Sequence, residues 1–141
     1  MRRSPEDLYA ESSAVLRWLL GAADGHKIRE LLSAAPRVIT SAITSAEVGR
    51  TLRRLVAGSQ LSPEARERAW LAYQSAAAHW ISYSVIASTL ARVVEQFPAE
   101  PVRTLDAIHL ATAATYAAEI GDVVVVTTDL IVRKNALGMG L

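Results

Sequence analysis

Short apolar runs alternate with longer stretches of helical periodicity along this chain, and that alternation is what most limits its fold. The clearest run is Val123-Val124-Val125-Val126 followed by threonines, a β-branched segment that reads as a strand over Val123–Thr127. Asp7–Ala10, Arg37–Thr40 and His79–Tyr83 read as three more short strands, the first of them polar for a central strand. Between them lie helical patterns. Ser12 or Ser13 caps one that carries Val15, Leu16, Leu19 and Leu20, and another covers His26–Ala34. Thr44–Ala57 places Val48, Leu52, Leu55 and Val56 on one stripe. Ser62-Pro63-Glu64 opens a helix that runs to Ala78, with proline in its first turn. Val85–Phe97 is ended by Pro98, Thr104–Ala118 is alanine-rich, and Asp129–Leu137 stops at Gly138. Strands alternating with helices point to an α/β domain built on a mainly parallel sheet.

The chain has 141 residues, enough for one domain (1–141) with a real core. Half of it is hydrophobic and the net charge is only +1, so no strong field marks the whole molecule as a nucleic-acid binder. The cations are nearly all arginine, which suits bidentate phosphate contacts; only Lys27 and Lys134 are lysines. There is no cysteine, which excludes disulfides, thiolate metal sites and cysteine nucleophiles, and fits a cytoplasmic protein. Arg2 and Arg3 are followed by no apolar core of a signal peptide. No apolar stretch reaches the roughly 20 residues of a membrane span.

Four carboxylates fall at equivalent places in this pattern. Glu11 follows the first strand, Glu47 lies beyond the second, Asp106 opens the alanine-rich helix, and Asp129 follows the valine strand. Each has an ordinary explanation. Thr44-Ser45-Ala46-Glu47 is a capping box, with Arg50 a further partner for Glu47. Asp106 follows the plausible cap Thr104, Asp129 suits an N-cap, and Glu11 suits a turn. Together they say more. Two like charges about 4 Å apart repel by about 4 kcal/mol at an effective dielectric near 20, so convergence of all four requires a cation. Hard carboxylate oxygens select Mg²⁺ or Mn²⁺.

The same residues resemble a known family. Leu8–Arg17 (Leu-Tyr-Ala-Glu-Ser-Ser-Ala-Val-Leu-Arg) is similar to the opening motif of PIN-domain ribonucleases, in particular the VapC-like toxins of toxin–antitoxin pairs. Thr44–Arg50 is similar to their second motif. Leu105-Asp106-Ala107-Ile108-His109-Leu110-Ala111-Thr112-Ala113 matches the third closely, and Val126-Thr127-Thr128-Asp129, with Leu137-Gly138 beyond, resembles the fourth. The motifs come in family order and span nearly the whole chain. The resemblance implies a Rossmann-like three-layer fold with helices on both sides of a short-stranded sheet, and metal-dependent endoribonuclease activity. It implies that Glu11, Glu47, Asp106 and Asp129 hold Mg²⁺ or Mn²⁺, with Thr127 orienting the last acid. It further implies an RNA substrate, a small cognate antitoxin and a homodimer, with no membrane association. The family usually has Asp where this chain has Glu11.

His109 shares a helix face with Asp106, where the family pattern often has a histidine, and reads as mainly structural; His26 and His79 have no partner motif. Trp18, Trp70 and Trp80 read as core or interface residues rather than base-stacking platforms. Arg53-Arg54 reads as a solvated helix face, and no glycine-rich phosphate loop is present. Three functions compete. One is a ribonuclease that leaves a 5′-phosphate and a 3′-hydroxyl. The second is a catalytically impaired PIN-like module acting through protein binding. The third is a receiver-type phosphoacceptor, whose paired acids after the first strand are missing here. The four carboxylates are expected at one pocket on the carboxyl edge of a parallel sheet. Glu11→Asp is expected to be tolerated or to raise activity, whereas Glu11→Gln should weaken metal binding, measured by Mn²⁺ titration. Unchanged affinity in Glu11→Gln would leave Glu11 as a turn acid.

Overall fold

A computed structural model of the chain describes residues 5–99 and 101–141. The signal-peptide reading at Arg2 and Arg3 therefore lies outside the described residues. Four strands make one parallel sheet: β1 (Asp7–Ala10), β2 (Val38–Ser41), β3 (Ile81–Tyr83) and β4 (Val123–Val126), in the order β3-β2-β1-β4. Seven helices among the described residues join them. They are α1 (Ser12–Leu19), α2 (Gly25–Ala34), α3 (Ala42–Ala57), α4 (Pro63–Ala77), α5 (Ala87–Val93), α6 (Thr104–Glu119) and α7 (Leu130–Gly138). None of them is long and apolar enough to cross a membrane.

The period-2 alternation of the strands divides the core into two layers. Ala10 and Val38 face a cluster built from Ala14 and Val15 of α1, Ile28 and Leu32 of α2, Val48 and Leu52 of α3 and Tyr73 of α4. Tyr9, Ile39 and Val123 face the other way, onto Ala113 and Tyr116 of α6. Leu110 and Ala107 of α6 then pack on Val132 and Ala136 of α7 and on Phe97. The result is helix layer, sheet, helix layer, an α/β fold as the alternating pattern implied. The connections leaving β1 and returning to β4 lie on opposite faces. The crevice outside the carboxyl ends of β1 and β4 is thus the switch point at which open parallel sheets place their sites.

The polar character of β1 has a structural cause. Asp7 is 7% exposed and accepts from the Tyr116 hydroxyl at 2.5 Å and from the Arg37 guanidinium at 2.8 Å. Burial alone would raise its carboxyl, but these two donors outweigh it and hold Asp7 below its ordinary range. Tyr116 is in turn pushed up to about 12, by burial and by the Asp7 carboxylate it serves.

Some element limits differ from the sequence reading. α3 begins at Ala42 with Ser41 as its cap, two residues before the capping box was expected, so Glu47 sits in the second turn and caps nothing. α5 covers only Ala87–Val93 because the chain must leave the helix for Phe97 to enter the α6–α7 cluster. Gly138 is the last residue of α7, at the end where the sequence reading stopped the helix. A Cβ there would come within 2.7 Å of the Pro98 ring, and the left-handed residue that follows is Gly140, at φ 80. Gly25 is required by close approach of α1 and α2, since a Cβ on it would lie 2.6 Å from the Arg17 carbonyl oxygen.

Tyr116→Phe should cost about 1–3 kcal/mol, the usual cost of removing a hydrogen bond to a buried charged group. Asp7 is depressed in the fold, so its contribution is full above the ordinary carboxylate range and lost as pH falls through its folded value. Urea denaturation at pH 7 and again near pH 3 checks both points: the penalty should shrink in acid.

Candidate active site

All four acids stand at the carboxyl edge of the sheet, each placed by a strand or helix end. Glu11 follows β1 without a spacer and is itself the N-cap of α1, the role the sequence reading gave to Ser12 or Ser13. Its side chain is folded back and 3% exposed. It accepts from the Ser13 amide at 3.1 Å, the Ser12 hydroxyl at 3.0 Å, the Thr127 hydroxyl at 2.7 Å and the Ser13 hydroxyl. The added methylene of Glu over Asp lets the carboxylate reach this ring of hydroxyls.

Thr127, buried at the end of β4, joins two acids. Its hydroxyl donates to Glu11 and accepts the Asp129 amide at 3.1 Å. Asp129 caps α7, accepting the Ile131 and Val132 amides at 2.9 and 3.0 Å through one carboxylate oxygen. Arg133, one turn on, donates to the Thr127 carbonyl at 2.9 Å and braces the same loop. Ser13 closes the group by accepting the Thr128 amide at 3.0 Å.

Glu47 and Asp106 come from the two helix layers. Glu47 in α3 does not pair with Arg50; one of its oxygens meets the ring Nε2 of His109 in α6 at 2.5 Å. The other ring nitrogen of His109 meets the Tyr9 hydroxyl at 2.7 Å. Burial, together with the charges of Glu11 and Glu47, pushes the Tyr9 phenol well up. Asp106 is half-buried in the first turn of α6, whose cap residue is Arg103 rather than Thr104. Its carboxyl is raised, first by burial and then by the negative charges of Asp129 and Glu11, with a smaller push from Glu47 and a partial offset from His109. Asp106 therefore feels each of the other three acids.

The donor set is all hard oxygen, which suits Mg²⁺ or Mn²⁺ and no thiophilic metal. Among the described residues no three histidine, aspartate or glutamate side chains are gathered tightly enough to hold an ion as they stand. Instead Glu11 rests on hydroxyls, Asp129 on helix amides and Glu47 on an imidazole. One Asp129 oxygen, one Glu47 oxygen and the Asp106 carboxylate have no such protein donor among these contacts. The set fits a cation in the chemistry of its donors.

Residues outside the expected set also shape the site. Ser12 and Ser13 were read only as caps, yet Ser13 bridges Glu11, Thr127 and Thr128. Tyr9 and Arg133 carry no signal in sequence, because each acts on a residue far from it in the chain or through backbone. The tryptophans, His26 and the arginine pair behave as read. Trp18, Trp70 and Trp80 pack on the core, His26 pairs with Glu30 on the surface, and Arg53 and Arg54 are exposed.

The PIN domain family model matches residues 8–136, and the chain belongs to that family. Its members are generally nucleases that use divalent metal ions. None of the curated proteins compared with the chain matches it significantly.

A carboxyl raised in the fold makes its charged form costly there. The stability it allows is present below the ordinary range and lost as pH rises through the folded value. Asp106→Asn should therefore stabilise the metal-free protein at pH 7, by less than about 1 kcal/mol because the group is partly solvated. Thermal unfolding in chelator should show the gain vanish below about pH 4.

Proposed function

We propose that this protein is a metal-dependent endoribonuclease that acts as the toxin of a type II toxin–antitoxin pair. The observation that carries the nuclease reading is the placement of Glu11, Glu47, Asp106 and Asp129 together at the sheet's switch point, in a chain of the PIN family; burial first, and then the neighbouring acids, raise the Asp106 carboxyl there. Asp106, Asp129 and Glu47 would hold Mg²⁺ or Mn²⁺, with Glu11 beside them. Such an ion supplies Lewis acidity and lowers the pKa of a bound water. The chain's own residues do the positioning. Thr127 ties Glu11 to the Asp129 loop, and Arg133 braces that loop from α7. Water attack on the RNA phosphodiester would leave a 5′-phosphate and a 3′-hydroxyl.

The toxin reading adds a small antitoxin partner and a homodimer. A cleft of about 610 Å³ at the amino edge of the sheet, walled by Trp18, Leu32, Val38 and Trp80 and rimmed by Arg29 and Arg37, supports an amphipathic partner segment there. Val15 and Leu52 are fully buried, so they belong to the core and offer nothing to a partner. Ile86, Leu90 and Val94, on α5 and its two caps, form an exposed apolar stripe that supports a second copy. The competing reading, a catalytically impaired PIN module acting through protein binding, is favoured by Glu11, whose carboxylate is already engaged by protein donors.

Incubating the purified chain with a structured-RNA panel separates them. The nuclease should cut with Mg²⁺ or Mn²⁺, stop in chelator, and lose at least about 100-fold of its rate in Asp106→Asn. Cleavage unaffected by Asp106→Asn would sink the reading. Expression alone should slow growth, and co-expression of the neighbouring small reading frame should restore it; an active chain that is not toxic and copurifies with no partner would argue for a housekeeping nuclease.

A further inference from the structure

His109 has a fully buried side chain, so it cannot touch RNA, yet both its ring nitrogens are engaged at the base of the acidic site. We propose that His109 is a positioning residue for this nuclease: a Tyr9–His109–Glu47 chain of hydrogen bonds locks Glu47 in the rotamer that turns its second carboxylate oxygen toward the cation site. The inference rests on the nuclease reading above.

The chemistry of the chain orders its hydrogens. An ionised Glu47 only accepts, so the Nε2 that faces it at 2.5 Å carries the proton. The other ring nitrogen, Nδ1, meets the Tyr9 hydroxyl at 2.7 Å and completes the chain. Tyr9 is 0% exposed in the central strand β1, and its ring meets the imidazole edge-on at 5.8 Å. The anchor therefore cannot shift without disturbing the sheet. Glu47 is different. Its side chain is 20% exposed, sits in the second turn of α3, and has three torsions to restrain. Without the imidazole it would exchange rotamers at the water-facing edge. The relay thus carries the rigidity of β1 through α6 to a side chain of α3, three elements far apart in the chain. It also fills one carboxylate oxygen, which leaves Glu47 a one-oxygen ligand. Partners that orient a metal-binding side chain in this way typically account for about 10–100-fold of metal affinity.

The test titrates the full-length chain with Mn²⁺ by calorimetry and records thermal midpoints in parallel. The variants are His109→Leu, His109→Gln, Tyr9→Phe, Glu47→Gln and the double variant His109→Leu/Glu47→Gln. His109→Leu should weaken Mn²⁺ binding about 10–100-fold. His109→Gln, which keeps an N–H donor, should recover much of that, and Tyr9→Phe should show a smaller loss. On the Glu47→Gln background, His109→Leu should cost no further affinity, because the histidine acts only through that carboxylate. Equal losses on both backgrounds, or a lowered midpoint with unchanged Mn²⁺ affinity, would overturn the positioning role and leave a structural histidine. If His109→Leu fails to fold, Tyr9→Phe decides, and unchanged affinity there overturns the proposal. A wild-type chain that binds no Mn²⁺ overturns the nuclease reading and the positioning role with it. A wild type that binds while His109→Leu binds equally well overturns the positioning role alone.

Discussion

Mutual repulsion among four carboxylates at one sheet edge is the constraint around which the rest of this structure is arranged. A parallel sheet of short strands sends every connecting helix back from the same edge, so α1, α3 and α7 all begin there. Their amino ends carry partial positive charge and unpaired N–H groups that tolerate acids. The fold adds a separate donor set for each acid: hydroxyls and an amide for Glu11, helix amides for Asp129 and an imidazole for Glu47. Asp106 has the least support of this kind, and it is the acid whose carboxyl rises. Burial and the neighbouring acids thus leave one acid of the four costly in the fold, as perturbed carboxyls at functional sites often are.

The opposite edge of the sheet is built on the same rule with the opposite outcome. Asp7 begins β1 and Glu11 follows its end, with Leu8, Tyr9 and Ala10 between them. There a phenol and a guanidinium neutralise the acid, and Arg37 also stands 6.0 Å from the centre of the Tyr116 ring. Tyr9, between the two acids, spends its hydroxyl on His109. The polarity of β1, odd for a central strand, is thus fully matched by partners from α6 and the β2 entrance. No buried side-chain polar atom among the described residues is left without a partner.

Local physics determines much of what the chain alone makes plain. Alternating strand and helix periods specify the α/β class. The four strands fall within about two residues of their expected limits because β-branched runs and flanking turns act over short range. The carboxyl-edge placement of Glu11, Glu47 and Asp129 follows from their positions just after strands, and the closely matching motif around Asp106 and His109 carried the family. The element ends that differ are at α3, where a nearer local cap wins, and at α5, where a contact distant in sequence wins. Ser41 caps α3 through the Ile43 amide, and Phe97 enters a cluster of α6 and α7.

Only the tertiary structure decided which donors each acid would meet. Glu11 and Thr127 are 116 positions apart, Tyr9 and His109 100, and Glu47 and His109 62. No periodicity encodes such pairs; sheet order and helix packing bring them together. The sequence by itself determined the kind of site, through the type and spacing of its acids, because charge and period are written locally. Which acid oxygens meet protein donors, and which histidine meets a glutamate, were decided by packing, because hydrogen bonds act only at the few ångströms that folding creates.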